Sequence, residues 1–176
     1  MIDFARNHFE LFGMPERFAV DADALERSYR ALQSRIHPDR FAAAAETERR
    51  LALQSSARVN EAYRALRNPV DRAQYLLSLH GIDAMAADGT ALAFEFLERQ
   101  LERREAASDA QAARDAPAPE RLLAEVRAES VALEQRVAAL LDGEAAWDTA
   151  RARVRELKFL DKLAGDIDDM LGDLES

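Results

Sequence analysis

The sequence contains no cysteine among its 176 residues. Disulfide bonds, thiolate zinc sites and cysteine-ligated iron–sulfur clusters are therefore excluded for this chain. Glycine and proline are scarce, at 6 and 5 residues, whereas 48% of the residues are hydrophobic and 32% are charged. Few turn residues and many apolar and charged ones predict a soluble, helix-rich protein of one ordinary domain or two small ones.

Long hydrophobic runs and an excess of positive charge are also missing. No stretch approaches the ~18 apolar residues that a membrane span requires, and no signal-peptide pattern is found at the start of the chain. The net charge is −9, which disfavours binding to a nucleic-acid backbone. We therefore expect a cytoplasmic protein that has neither a nucleic acid nor a membrane as a partner.

The charge is distributed unevenly along the chain. Residues 1–80 carry a net charge of +1, whereas residues 81–176 carry a net charge of −10. Glycine, alanine and aspartate between residues 81 and 90 indicate a linker. The sequence thus predicts two modules, residues 1–80 and residues 91–176, with different partners, although acidic helices that are simply solvated have the same charge pattern.

Short helical patterns fill the first module. Apolar side chains recur three or four residues apart, and glycine or proline closes each pattern. The second predicted helix begins after Asp21, a favourable N-cap residue, and must end before Pro38, which keeps His37 out of the α region. The predicted helices span about residues 4–12, 22–36, 46–67 and 71–81.

Three longer amphipathic patterns fill the second module. The first runs from about Leu92 to Arg114, and the segment "DAPAPE" at residues 115–120 is predicted to be a turn. The second carries its apolar stripe from Leu122 to Leu140 and is expected to end at Gly143. The third carries its stripe from Trp147 to Leu174. Three such helices with short turns predict an antiparallel bundle, so the fold class is all-α.

The segment "RIHPDRF" combines a histidine, a proline and an aspartate in a predicted loop. A general base needs an orienting partner and a pocket, and no phosphate-binding loop or Gly-x-Ser-x-Gly turn accompanies His37 and Asp39. The histidines His8, His37 and His80 are too far apart in sequence to form a local metal-ligand pair. An enzyme, a metal site and a cofactor are therefore disfavoured. Two interpretations of this segment remain: it is a loop that merely caps its neighbouring helices, or it is a surface that a partner protein binds.

The predicted helix before this loop has a basic face. Arg27 and Arg30 lie roughly opposite its apolar stripe, and Arg35 and Arg40 flank His-Pro-Asp. A solvated face would explain the arginines alone. A basic helix that ends at an exposed His-Pro-Asp loop is a more specific arrangement.

This arrangement resembles the J-domain, the module with which co-chaperones engage ATP-driven heat-shock chaperones. The segments "LERSYRALQSRIHPD" and "NEAYRALRNPVDRAQYL" carry that match. Five segments in order are similar, more closely, to the HscB-type co-chaperones of iron–sulfur cluster biogenesis: "HFELFGMPERF", "HPDRF", "RAQYLLSLHG", "FLERQLERRE" and "RELKFLDKL". The resemblance implies an N-terminal J-domain, with short helices around an antiparallel helical hairpin, followed by a C-terminal three-helix bundle that binds the client.

The resemblance also implies two sets of site residues. One set would bind an HscA-like chaperone and stimulate its ATPase: His37, Pro38, Asp39, Arg27, Arg30, Arg35 and Arg40. The other would bind an iron–sulfur scaffold protein: Leu97, Leu101, Glu102, Glu105 and Phe159. Glu98 departs from the family pattern, in which this position is apolar. The co-chaperone itself would hydrolyse nothing.

Helical periodicity gives independent support for an exposed apolar site in the second module. At 100° per residue, Phe94, Leu97 and Leu101 fall within about 60° of one another. Phe159 and Leu163 lie off the main stripe of the last helix, which leaves an apolar face for a partner unless these are ordinary core residues. Two alternatives to the HscB-type function remain: a general J-domain co-chaperone with another client, and a structural helical-bundle protein.

Overall fold

The computed structural model describes residues 2–86, 92–113 and 117–175. The chain divides into two compact units, Met1–Leu79 and His80–Ser176. The described residues form helices and turns without a strand, so the predicted all-α class is confirmed. Over those same residues, no helix combines the length and the apolar character that crossing a bilayer needs.

The first unit is built from helices whose ends follow local capping signals. The Asp21 carboxylate accepts the Ala24 N–H at 2.9 Å, and the Asn68 side chain accepts the Asp71 N–H at 3.0 Å. Both bonds satisfy backbone donors that a helix start leaves open. Its described elements are α1 (His8–Phe12), α2 (Ala22–Ile36), a 3-10 turn (Pro38–Phe41), α3 (Glu46–Arg67) and α4 (Pro69–Leu79).

The first helix is shorter than predicted, because it begins at His8 rather than at Phe4. Asn7 and Glu10 form a capping box: the Asn7 side chain accepts the Glu10 N–H at 2.9 Å, and the Glu10 carboxylate accepts the Asn7 N–H at 2.9 Å. These reciprocal bonds fix the start of the helix. An asparagine followed three residues later by a glutamate is the sequence signal that the prediction overlooked.

Two helices, α2 and α3, form the hairpin of the first unit. Three side-chain hydrogen bonds join them: Glu26–Tyr63, Tyr29–Asn60 and Gln33–Asn60. Because earlier residues of α2 meet later residues of α3, the two helices run antiparallel. The rings of Tyr29 and Tyr63 also stack with their centroids 4.0 Å apart. The core of this unit includes Phe9, Leu25, Ile36, Val59, Leu66, Val70 and Leu77.

The described helices of the second unit are α5 (Phe94–Ala112), α6 (Pro117–Ala138) and α7 (Trp147–Glu175). Phe96 meets Phe159 with ring centroids 5.8 Å apart, and Arg104 pairs with Asp166 at 3.0 Å, so α5 and α7 run parallel. One cluster of its core includes Phe96, Ala107, Leu123, Val126, Leu160, Leu163 and Ile167. Leu163, which periodicity put off the main stripe, is therefore a core residue.

Both ends of α6 differ from the prediction. The helix starts at Pro117, within the predicted turn, because proline fits the first helical turn, where an N–H has no intrahelical partner. Residues 114–116, including the predicted end of the preceding helix at Arg114, lie outside the described residues. At the other end, a π-helical turn (Ala139–Glu144) continues past Gly143, and the left-handed residue is Ala145, with φ 48°.

The predicted linker, residues 81–90, is described only in part, because residues 87–90 lie outside the described residues. Its described part packs on α7. Arg155 Nε donates to the carbonyl oxygen of Ala84 at 2.6 Å, and the Ala84 side chain is buried. Ala84 is thus held to α7 within the second unit, a contact that composition alone did not predict.

One buried residue of the first unit is titratable. His8 is 4% exposed, and its ring stacks on Tyr75 with the centroids 4.0 Å apart. Within the part of the chain that the structure describes, its Nδ1 has no hydrogen-bond partner. Burial and the charge of Arg58 lower the pKa of His8 from its usual value, while Glu61 opposes that change. The unfolded chain therefore binds this proton more readily than the folded protein.

We predict that His8 makes the first unit sensitive to acid. Above the unfolded pKa of about 6.5 both states are neutral at this site, and as the pH falls below it only the unfolded chain is protonated, so the free energy of unfolding decreases. Urea unfolding followed by circular dichroism between about pH 7 and pH 5 measures this slope. His8→Phe should flatten it, because the variant has no titratable group at this buried position. Equal slopes for wild type and His8→Phe would contradict this assignment.

Candidate functional site

The His-Pro-Asp loop follows directly on the last turn of α2. Pro38 cannot continue α2, so His37 leaves the helical conformation, with φ −56° and ψ 129°, and Pro38 begins the 3-10 turn. The side chains of His37 and Asp39 are 55% and 90% exposed. Ile36, immediately before the loop, is buried in the core of the unit. The loop is therefore exposed to solvent, while the residue directly before it is fixed in the core.

Hydrogen bonds within the loop define its shape. The Asp39 N–H donates to His37 Nδ1 at 3.4 Å, and the Arg40 N–H donates to the His37 carbonyl oxygen at 3.0 Å. Nδ1 also lies 3.5 Å from an Asp39 carboxylate oxygen, so this ring nitrogen faces the loop itself. His37 Nε2 and the Asp39 carboxylate are therefore the groups that the loop offers to a partner.

The predicted basic residues of α2 are exposed, but they differ in their contacts. Arg27, Arg30 and Arg35 all lie on the surface. Arg30 Nε donates to Glu26 at 2.6 Å, and the Tyr63 hydroxyl donates to the same carboxylate. The hydrogen bonds from Tyr63 and Arg30 lower the pKa of Glu26. The charge of Arg30 is thus paired within the hairpin before any partner binds.

Arg40 is also exposed, and its guanidinium turns back toward α2. Arg40 Nη1 donates to the Ser34 carbonyl oxygen at 2.8 Å. Ser34 lies in the last turn of α2, whose carbonyl oxygens have no N–H partner further along the helix. The predicted chaperone-binding residue Arg40 therefore makes an intramolecular contact that its sequence position did not indicate.

The surroundings of the loop do not resemble a catalytic centre. A general base acts within a pocket, held by an orienting partner, whereas His37 and Asp39 are both more than half exposed. Across residues 2–86, 92–113 and 117–175, no group of three histidine or acidic residues is arranged to hold a metal ion. The chemistry that this geometry supports is recognition of a partner surface.

The predicted scaffold-binding residues lie on α5 and α7. Leu97 and Leu101 are 39% and 58% exposed, and Phe159 is 36% exposed, resting edge-on against the ring of Phe96. Phe94, which was not in the predicted set, is 73% exposed on the same helix face. We call Phe94, Leu97, Leu101 and Phe159 the apolar face. Glu98, Glu102 and Glu105 are exposed on α5 beside it.

Polar contacts fix the rotation of α5 that exposes these residues. Arg103 Nη1 lies 2.5 Å from a Glu129 carboxylate oxygen of α6 and 3.0 Å from Gln100 Oε1, and Gln100 is 1% exposed. On the other side, Arg104 pairs with Asp166 of α7 at 3.0 Å. Since these residues face the neighbouring helices, the arc that carries Leu97 and Leu101 faces solvent.

A groove of about 590 Å³ lies between the first turns of α5 and the α6–α7 hairpin. Its walls combine three arginines with three glutamates, and the arginines are paired: Arg153 with Glu156 at 2.6 Å, Arg136 with Glu144 at 2.8 Å and Arg99 with Glu129 at 3.4 Å. A groove whose walls are largely charged side chains, with each arginine paired to a glutamate, is a poor site for a small organic ligand. The exposed apolar face is the stronger candidate site of this unit.

Comparisons with known proteins agree with this architecture. The family model described as "HSCB C-terminal oligomerisation domain" matches residues 93–168. The co-chaperone protein HscB homolog of Burkholderia multivorans is 46% identical over 176 residues, which cover 100% of both chains. The homolog of Ralstonia nicotianae is 49% identical over 159 residues, which cover 90% of each chain.

A solved structure shows the same fold. The chaperone HscB from Vibrio cholerae superposes with a TM-score of 0.85 at 36% sequence identity, over 96% of this chain and 99% of that one. The likeness therefore includes both units, and the predicted architecture of a J-domain followed by a C-terminal helical domain is confirmed.

We predict that the apolar face contributes little to stability. Leu97→Ala and Leu101→Ala should each lower the free energy of unfolding by much less than a core substitution does, because both side chains keep a large part of their surface in solvent. Phe96→Ala is the matched control, since Phe96 is 7% exposed in the core, and it should cost about 3–5 kcal/mol. Urea unfolding followed by the fluorescence of Trp147, the one tryptophan of the chain, reports on this unit. A loss at Leu97 or Leu101 as large as that at Phe96 would mean that these leucines are core residues.

Proposed function

This chain belongs to the HscB co-chaperone family, and on that premise we propose that it delivers an iron–sulfur scaffold protein to an HscA-like chaperone and stimulates the chaperone's ATPase. The exposed His37–Asp39 loop at the end of a packed helical hairpin is the observation that carries the proposal. A co-chaperone of this kind does not hydrolyse ATP itself. It presents a surface that promotes hydrolysis in its partner.

The first unit is proposed to bind the chaperone. The His37 imidazole and the Asp39 carboxylate are both exposed, so the loop offers hydrogen-bonding groups to a partner. Arg27 and Arg35 add exposed positive charge along α2, which favours encounter with an acidic surface. Because Ile36 is buried and the 3-10 turn is hydrogen-bonded, little conformational entropy remains to be lost when the loop docks.

The second unit is proposed to bind the scaffold protein through the apolar face. Exposed leucine and phenylalanine side chains, rimmed by Glu102 and Glu105, suit a partner with an apolar patch surrounded by basic residues. Glu98 adds a third acidic side chain at a position that is apolar in the family pattern. We expect it to contribute charge rather than apolar contact.

Two sites on one chain explain the delivery step. A scaffold protein held by the second unit and a chaperone held by the first share a single tether, so their encounter becomes intramolecular. Linkage of this kind raises the effective concentration to the millimolar range for short linkers without any new contact.

A second function for the apolar face is self-association. The description of the matching family model names oligomerisation, and an exposed apolar surface suits a second copy of the chain as well as a client. Sedimentation equilibrium separates the two functions. A dimer that Leu101→Ala dissolves would indicate pairing of copies, and a monomer that binds scaffold through Leu101 would support delivery.

We predict that His37→Gln abolishes stimulation of the HscA-like ATPase without affecting the fold. The side chain is 55% exposed, so its replacement should leave the melting temperature unchanged. Steady-state ATP hydrolysis by the chaperone, titrated with wild-type or variant protein, measures the effect. Full stimulation by a folded His37→Gln variant would remove the proposed role of the loop.

We predict that Leu101→Ala and Phe159→Ala each weaken scaffold binding by roughly thirtyfold, the loss expected at an interface anchor. Val131→Ala is the matched control: Val131 is 54% exposed, much like Leu101, but lies on α6. Calorimetric titration with the scaffold protein should give an unchanged affinity for the control. Equal losses at Val131 and Leu101 would show that the scaffold does not recognise the apolar face.

A further inference from the structure

The end of α2 leaves carbonyl oxygens that the helix itself cannot satisfy. Pro38 has no N–H, and His37 has left the helical conformation, so the last turn has no following donors in the helix. A positively charged side chain at a helix C-terminus satisfies such oxygens and interacts favourably with the helix dipole. Arg40 does this from beyond the loop, through the bond of 2.8 Å from Nη1 to the Ser34 carbonyl oxygen.

The same contact closes the loop on itself. Arg40 is joined to α2 through the backbone of His37, Pro38 and Asp39, and its guanidinium returns to Ser34 six residues earlier. Inside this closed segment, the Arg40 N–H donates to the His37 carbonyl oxygen at 3.0 Å. The Ala42 N–H donates to the Asp39 carbonyl oxygen at 3.3 Å. The side-chain bond therefore ties the 3-10 turn to the helix that precedes it.

We propose that Arg40 is a positioning residue, which holds His37 and Asp39 in their docking geometry through Ser34. This inference rests on the proposed function and deepens it, because it assigns to Arg40 a role inside the co-chaperone rather than a contact with the chaperone. If the loop holds the docking geometry for only a fraction of the time, the apparent affinity for the chaperone is lowered by that fraction. Loss of the Arg40 bond should therefore raise the concentration needed for stimulation and leave the maximal rate nearly unchanged.

Arg35 is the control that distinguishes a residue that positions the loop from one that acts only through its charge. It lies in the last turn of α2, carries the same charge and is also exposed. An arginine that acts only through its charge loses its effect on docking when salt screens that charge. The screening length is about 8 Å at physiological ionic strength and about 3 Å near 1 M salt. A hydrogen bond to a carbonyl within the same chain persists under such conditions.

The first arm of the test needs no partner. Amide hydrogen exchange of the isolated full-length chain is measured by nuclear magnetic resonance for wild type, Arg40→Ala, Arg40→Lys and Arg35→Ala. Arg40→Ala should accelerate exchange at the amides of residue 40 and Ala42 by about fivefold, the effect of losing roughly one exposed hydrogen bond. The amide of Val59, in the core of α3, should be unaffected. Arg40→Lys keeps a cationic donor and should restore part of the protection, whereas Arg35→Ala should match wild type.

The second arm uses the chaperone ATPase. Arg40→Ala should raise the half-saturating concentration by about fivefold at both low and high salt, because the bond that it removes is intramolecular. Arg35→Ala should raise it at low salt only. Arg40→Lys should lie between Arg40→Ala and wild type.

The outcomes distinguish this inference from the proposed function. Unchanged exchange in Arg40→Ala would overturn the positioning role, even if stimulation falls. Faster exchange with an unchanged half-saturating concentration would overturn it as well, since loop geometry would then not limit docking. If wild type gives no stimulation while Arg40→Ala exchanges faster, the proposed function fails and the structural role of Arg40 in the loop stands.

Discussion

A single residue, Pro38, is the constraint on which the first unit's surface depends. Its ring fixes the backbone, removes an N–H donor and forces His37 out of the helical region, so that α2 ends at Ile36. The helix end then has carbonyl oxygens without an intrahelical partner, and the side chains on either side of the proline, His37 and Asp39, lie in solvent. A helix that continued through these positions would carry the same residue types without forming a loop.

The hairpin beneath the loop supplies rigidity. Tyr29 and Tyr63 stack between α2 and α3, and their hydroxyl groups bond to Asn60 and Glu26 across the hairpin. These contacts lie away from the loop, so the hairpin can be packed without covering the surface that a partner would meet. Ile36, 4% exposed, anchors the chain immediately before it turns outward.

In the second unit, polar contacts decide which apolar residues remain outside. Gln100 is almost fully buried and bonds to Arg103, which pairs with Glu129 of α6. A rotation of α5 that turned Leu101 inward would gain about 25 cal/mol of stability per Å² of apolar surface buried. The same rotation would break the hydrogen bonds of Gln100 and Arg103 and leave polar atoms unsatisfied. The exposed apolar face is thus a consequence of how α5 is fastened to its neighbours.

The sequence by itself determined the all-α class, the order of the helices and the break after Ile36, because helical periodicity, capping residues and proline act within a few positions of the chain. It also predicted that Leu97 and Leu101 share a helix face. Tertiary structure alone decided which faces are covered: Leu163 is core while Phe159 is partly exposed, because that choice depends on where α5 and α6 lie. It likewise decided that Arg40 reaches Ser34 and that Arg155 holds Ala84, 71 residues away. Long side chains can reach many partners, and only the folded chain selects one.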